Sequence, residues 1–187
     1  DYIAIVFQFL AGINFTLLYA SIFKAKFASL FRNSEFKLYI SFVLLSAAGI
    51  ATVLYFQSDY ELEPAIRSSL FQVVSFMTTT GIFNDDVAQW PHITWIVLGG
   101  LMFVGACAGS TSGGFKCIRA VMTLKSLRNN FRQILHPNAV LPVKINGQSV
   151  PQARMVSLFA FFTLFMLMIL ATAAIMLLSG IDMINSI

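Results

Sequence analysis

Between residues 75 and 86 the chain reads Ser-Phe-Met-Thr-Thr-Thr-Gly-Ile-Phe-Asn-Asp-Asp, a hydroxyl- and glycine-bearing segment with apolar sequence on both sides. Its chemistry is coordination rather than bond-making. Carbonyls of an extended Thr78, Thr79, Thr80, Gly81 and Ile82 can replace the hydration shell of a cation, and Gly81 supplies the φ values that such a segment needs. Asn84, Asp85 and Asp86 follow as an acidic outer mouth. A second segment, residues 108–116, reads Ala-Gly-Ser-Thr-Ser-Gly-Gly-Phe-Lys. Gly109 and Gly114 have the spacing of a phosphate-binding loop, but Phe115 stands where that loop needs lysine, and an apolar half-span precedes it. Gly105 and Gly109 also suit close helix packing, and Gly109, Ser110, Thr111, Ser112, Gly113, Gly114 and Lys116 suit a flexible loop inside a membrane. Lys116 beside such a break is directed either into protein and water or out to the interface by snorkelling.

The elements that hold these segments are helices of unequal length. Residues 64–77 read as a short helix with Pro64 at its start, and Thr78, Thr79, Thr80 and Gly81 disfavour its continuation. At about 1.5 Å per residue it is roughly 20 Å long, too short for a hydrocarbon core of about 30 Å, so it must enter and stop. Its last carbonyls and the negative end of its dipole then face inward, which suits a cation. Residues 2–23, 38–56 and 155–178 are long enough to span. Residues 93–106 are not, and the glycine stretch breaks that span before a basic helix resumes at 115–135. Within the first span, Gly12 and Asn14 read as packing positions. Residues 136–152, with proline, asparagine and glycine, form a connector and the one stretch where short strands are expected.

Composition places the chain in a bilayer: 58% of residues are hydrophobic and 11% charged, against about a quarter charged in soluble domains. The formal charge of +4 reports topology, and no basic patch interleaved with exposed aromatics points to nucleic acid. With the mouth outside, every Lys and Arg except Arg67 falls on the cytoplasmic side, as the positive-inside rule requires. Asp59, Glu61, Glu63, Asp85, Asp86 and Asp182 fall outside and raise the local cation concentration. Arg67 is expected to pair with an outer carboxylate or phosphate. Cys107 and Cys117 read as small buried residues, and His92 and His136 as lone histidines. No carboxylate pair, metal cluster or activated nucleophile assembles, so the chain is not read as an enzyme and no bound cofactor is expected. Starting at Asp1 without a methionine, it is expected to be a fragment.

The half-helix, Thr-Thr-Gly and acidic exit resemble the pore loops of potassium channels. In detail the chain is similar to the TrkH/KtrB family of potassium-uptake proteins, through Thr78 to Gly81, through residues 108–116, and through Glu35-Phe36-Lys37-Leu38-Tyr39. Ile82 stands where an aromatic is common. The resemblance implies an all-α membrane protein of four repeats, each with a re-entrant pore helix and filter loop, of which this is the third. Residues 1–34 then close a preceding repeat, 35–135 form a complete one, 136–154 connect on the cytoplasmic side, and 155–187 open the next. It also implies K⁺ as the transported ion, a gating role for residues 109–114 with Lys116, a bacterial inner-membrane location among lipids, a homodimer, and a cytosolic nucleotide-binding regulatory subunit. The alternative reading is a secondary transporter of another cation or small solute, in which broken helices alternate in access.

Overall fold

The architecture follows from where each apolar run can and cannot satisfy its own backbone. The computed structural model describes residues 1–23, 27–58, 60–135 and 142–178. Lys24 and Lys26, which count among the cations assigned to the cytoplasmic side, and Asp59, His136, Asp182 and residues 179–187 lie outside the described residues. Eight helices are present among those described: α1 (Tyr2–Ala11), α2 (Phe15–Phe23), α3 (Phe27–Arg32), α4 (Ser34–Gln57), α5 (Leu62–Met77), α6 (His92–Val104), α7 (Cys117–Leu135) and α8 (Gln152–Leu178). The expected strands in the connector are a two-residue antiparallel pair, β1 (Lys144–Ile145) with β2 (Gln148–Ser149), turned through Asn146 and Gly147 at positive φ.

Two helices, α4 and α8, are each long and apolar enough to cross a membrane. The 24 residues of α4 run about 36 Å. Its start is set by Asn33, whose side chain accepts from the Glu35 and Phe36 amides at 2.8 and 3.3 Å. Phe36, Tyr39, Val43, Ala47, Ile50 and Leu54 form the buried stripe along it, at the three- and four-residue spacing that puts side chains on one face. That stripe packs chiefly against α5. At 16 residues, α5 runs about 24 Å and stops short of a full crossing, as expected. Its N-cap is Glu61, so Pro64 sits at the third helical position rather than the first.

The first span departs from expectation. Residues 2–23 are not one helix: α1 and α2 meet at 106° across residues 12–14. Asn14 is the local cause, because its side-chain oxygen accepts from the Thr16 and Leu17 amides at 2.9 and 3.2 Å and starts α2 afresh. Gly12 is required by close approach: a Cβ there would stand 2.8 Å from the Tyr39 ring and 2.9 Å from a Thr78 methyl. Tyr39 in turn donates its hydroxyl to the Phe9 carbonyl at 3.1 Å and stacks on the Phe9 ring.

The span formed by α6 also stops early, at Gly105 (φ +70°). The loop continues through Phe115 and Lys116 before α7 begins, two residues later than the sequence suggests. Gly105 and Gly109 both have positive φ in irregular backbone, so the helix-packing reading of that pair does not hold. α8 lies against this region through aromatic rings: Phe162 meets Phe115 edge-on at 5.4 Å, and Arg119 sits 3.6 Å from the centroid of Phe161. At the opposite end Arg67 pairs with Asp1 and, at 3.1 Å, with Glu63, so its partners are carboxylates, one of the two kinds expected for it. Tyr2 donates to Glu63 at 2.6 Å. The hairpin lies at the other pole, where Asn146 accepts from the Ser34 amide at 2.9 Å.

Candidate functional site

The buried polar face of α5 builds the first half of the site. Ser68, Gln72 and Ser75 are spaced four and three residues apart, so they share one face of the helix, and all three are buried. Gln72 donates to the Asn84 side chain at 3.2 Å and, at 3.4 Å, to the Asp85 carbonyl, while Asn84 donates to Ser68 at 3.4 Å. Ser75 bridges the strand-like segment by donating to the Ile82 carbonyl at 2.6 Å and accepting from the Ile82 amide at 3.2 Å. These bonds hold residues 82–85 alongside the helix that precedes them. Their signal was present in the sequence as polar residues at helical spacing in an apolar half-helix.

Between the helix and that strand-like segment the backbone turns sharply. Thr78 remains in helical geometry (φ −86°, ψ −2°) and is buried, with its hydroxyl 2.7 Å from the Val74 carbonyl and 2.7 Å from the Thr80 hydroxyl. Thr79 adopts φ +54° and Gly81 φ +72°. Among the described residues, nothing donates a hydrogen bond to the carbonyls of Thr78, Thr79, Thr80 or Gly81. Ile82 is different, because Ser75 donates to its carbonyl and takes one of that oxygen's two lone pairs. The segment is therefore a turn leading into a short extended run rather than five extended residues. Thr79 to Phe83 are exposed, with Phe83 edge-on to Phe76 at 5.6 Å.

The acidic mouth is partly internal. Asn84 faces back into α5, Asp85 accepts from the Tyr60 hydroxyl at 2.7 Å, and Asp86 caps a 3₁₀ turn at Val87–Gln89 by accepting from the Ala88 amide at 3.1 Å. Burial, and then the bond to Asp85, push the Tyr60 phenol above its ordinary pKa. Of the three residues, Asp86 is the exposed one.

The second half of the site is the loop between α6 and α7, and it lies against the first. The Gly113 amide donates to the Thr79 hydroxyl at 2.8 Å. Irregular backbone inside a membrane needs partners from protein or water. Here they come largely from the other broken span: Cys107 donates to the Gly12 carbonyl at 3.1 Å, Thr111 to the Ala11 carbonyl at 3.3 Å, and Phe15 to the Gly109 carbonyl at 3.0 Å. Within the loop, Ser110 donates to the Cys107 carbonyl at 2.5 Å and Ser112 accepts from the Ala106 amide at 3.0 Å. The Lys116 ammonium folds back onto the Ser112 carbonyl within the loop. Cys107 and Cys117 are buried free thiols, as expected. Glu35, which the sequence singles out only within the Glu35 to Tyr39 stretch, is buried with its carboxylate against the Ala108 and Ile118 amides at 2.5 and 3.2 Å. His92 lies 5.6 Å from the Trp95 ring and joins neither half.

A short helix that ends in carbonyls without donors thus lies against the irregular loop of a second broken helix. The family model for the TrkH cation transport protein matches residues 1–185. The chain belongs to the TrkH family. Among TrkH-family relatives, the Trk system potassium uptake protein TrkH of Salmonella typhimurium is 29% identical over 178 residues, 95% of this chain and 37% of that protein. The Trk system potassium uptake protein TrkG of Escherichia coli is 34% identical over 165 residues, 86% of this chain. The crystal structure of the potassium transporter TrkH from Vibrio parahaemolyticus superposes with a TM-score of 0.89 at 28% identity, covering 97% of this chain and 40% of that one. The chain thus spans well under half the length of these TrkH relatives, and its all-α membrane fold is the TrkH fold.

Proposed function

We propose that this segment supplies one repeat of a K⁺ conduction path in a longer transport protein of the bacterial inner membrane. The observation that carries the reading is the run of four carbonyls without donors, Thr78 to Gly81, at the C-terminus of the buried half-helix α5. Carbonyls in that position replace the water around a potassium ion, and the negative end of the α5 dipole adds to their field. Ions pass down their electrochemical gradient, with no covalent chemistry and no catalytic residue. One loop cannot close a ring, so the site is completed by other repeats of the parent chain. Residues 35–135 make up the complete repeat in this reading, residues 1–34 close the one before, 136–154 connect on the cytoplasmic side, and 155–187 open the one after.

In the same reading residues 109–114 are the gate. The contact from Gly113 to Thr79 supports this, since it sets the loop directly against the residues proposed to bind the ion. The relatives' names refer to a Trk system, which supports the presence of partner proteins. A homodimer with a nucleotide-binding regulatory subunit on the basic cytoplasmic face is the arrangement proposed. The test is ion flux by the full-length parent in proteoliposomes, with K⁺, Rb⁺ and Na⁺ compared. Saturable flux favouring K⁺ and Rb⁺, raised when residues 109–114 are shortened, is expected. Transport of an organic solute with no K⁺ or Rb⁺ flux would refute the filter, and reduced K⁺ flux in a well-folded shortened protein would refute the gate.

A further inference from the structure

Glu35 is 5% exposed in the first turn of α4, and the conduction path as described makes no use of it. A buried carboxylate is costly unless donors surround it. Its two donors are both backbone amides and both reach the same oxygen, Oε1: Ala108 at 2.5 Å and Ile118 at 3.2 Å. Ala108 immediately precedes the proposed gate, and Ile118 lies in the first turn of α7, where amides have no partner within their own helix. One atom therefore joins the two roots of the loop. The backbone carrying it is itself fixed, because Asn33 caps the Glu35 and Phe36 amides.

We propose that Glu35 is the positioning residue of the gate, a carboxylate clamp that holds both roots of residues 109–114 so that only their crown can move. The inference rests on the gating function proposed above. The bonds divide accordingly. At the roots, Phe115 donates to the Phe103 carbonyl at 2.9 Å, Lys116 to Val104 at 2.7 Å and Cys117 to Ala106 at 2.9 Å, in addition to the two bonds to Glu35. The crown is held to the other spans by bonds between uncharged groups, from Gly113 to Thr79, from Thr111 to Ala11 and from Phe15 to Gly109, and the charged contact it receives, from the Lys116 ammonium to Ser112, ties it to the loop's own root rather than to another element. Hydrogen bonds to an ionised acceptor are roughly twice as strong as bonds between neutral groups, so the crown releases before the roots.

The substitution Glu35→Gln in the full-length parent removes the charge and preserves the shape. Two free thiols beside the clamp, Cys107 and Cys117, are 2% and 0% exposed and report on it without further mutation. In Glu35→Gln protein, peptide-resolved mass spectrometry should find their modification by a small thiol reagent faster by on the order of tenfold, the weakening expected when a charged acceptor becomes neutral. Basal K⁺ flux should rise in parallel while the K⁺ to Na⁺ ratio stays constant, because the carboxylate does not touch Thr78 to Gly81. Faster labelling at these two thiols with unchanged flux supports the clamp and refutes the gate. Unchanged labelling in inserted protein, or faster labelling accompanied by equally faster amide exchange along α4 and α5, overturns the clamp. If the variant fails to insert, hydrogen exchange on the unmodified parent decides. The Ala108 and Ile118 amides should exchange more slowly than that of Gly113, and the reverse order overturns the proposal.

Discussion

Gly81→Ser in the full-length protein is predicted to weaken K⁺ over Na⁺ discrimination while leaving folding intact. A Cβ built at Gly81 meets nothing within 4 Å, so the substitution introduces no clash with the rest of the chain. What it introduces is a side chain at φ +72°, in the left-handed region, which costs an L-residue about 1–2 kcal/mol. Spread over a two-state backbone, that cost is a shift of roughly 5- to 30-fold toward conformations in which the Thr80 and Gly81 carbonyls turn away from the proposed ion position. The penalty falls on a segment already carrying one strained residue, Thr79 at φ +54°, which has the Gly113 amide on its hydroxyl. Whether selectivity comes from cavity size or from the number and field of the coordinating dipoles, a misdirected carbonyl weakens it. Gly81→Asn is the matched control, because asparagine tolerates the left-handed region and should retain more selectivity than serine. Thr80→Val, which keeps the β-branch and the carbonyl and loses the bond to Thr78, should be milder than either. Competitive Rb⁺ and Na⁺ flux in proteoliposomes, normalised to inserted protein, measures all three. A well-expressed Gly81→Ser protein with unchanged selectivity would show that this glycine takes no part in coordination.

Three further outcomes are expected. In intact cells an impermeant thiol reagent should label Asp85→Cys and spare Asn146→Cys, and the opposite pattern would invert the topology. Gly114→Ala should lower thermal stability in detergent by roughly 2–4 kcal/mol, combining a left-handed penalty with overpacking, since its Cβ would stand 2.9 Å from the Met102 carbonyl oxygen and 3.1 Å from that of Phe103. A stability within error of the unmodified protein would mean that the loop backbone relaxes freely. Tyr60→Phe, which removes the 2.7 Å bond to Asp85 near the surface, should cost about 1 kcal/mol in the same melt and leave ion selectivity unchanged. An altered selectivity would place Asp85 on the ion's route.

Features set by nearby residues were legible in the sequence. The stop after Met77 follows from Thr78, Thr79, Thr80 and Gly81 and from a helix too short to cross, and the interruption at 105–116 follows from its glycines. A carboxylate partner for Arg67 was one of the two that charge placement allowed. The break at residues 12–14 was not legible, because one glycine and one asparagine in an apolar run do not end a helix by themselves. They do so here because Cys107, Gly109 and Thr111, nearly a hundred residues later, take up the backbone groups that the break exposes. Glu35 was missed for the same reason: its partners are Ala108 and Ile118, and no local spacing links them. Ser75 was noticed as a hydroxyl near the filter, but its bond to Ile82 depends on how the chain turns at Thr79.

The two broken spans supply each other's missing hydrogen bonds, and this bears on how the path can open. If residues 109–111 leave their closed position, the Phe15 amide loses the Gly109 carbonyl and the Ala11 carbonyl loses the Thr111 amide. No hydrocarbon can take their place, so water must. Opening of the proposed gate would then be a hydration step as much as a displacement, with an equilibrium that depends on the activity of water beside the loop. Impermeant osmolytes that lower this activity should favour the closed loop at constant ion concentration, which would make the cell's osmotic state an input to the proposed gate through the backbone itself.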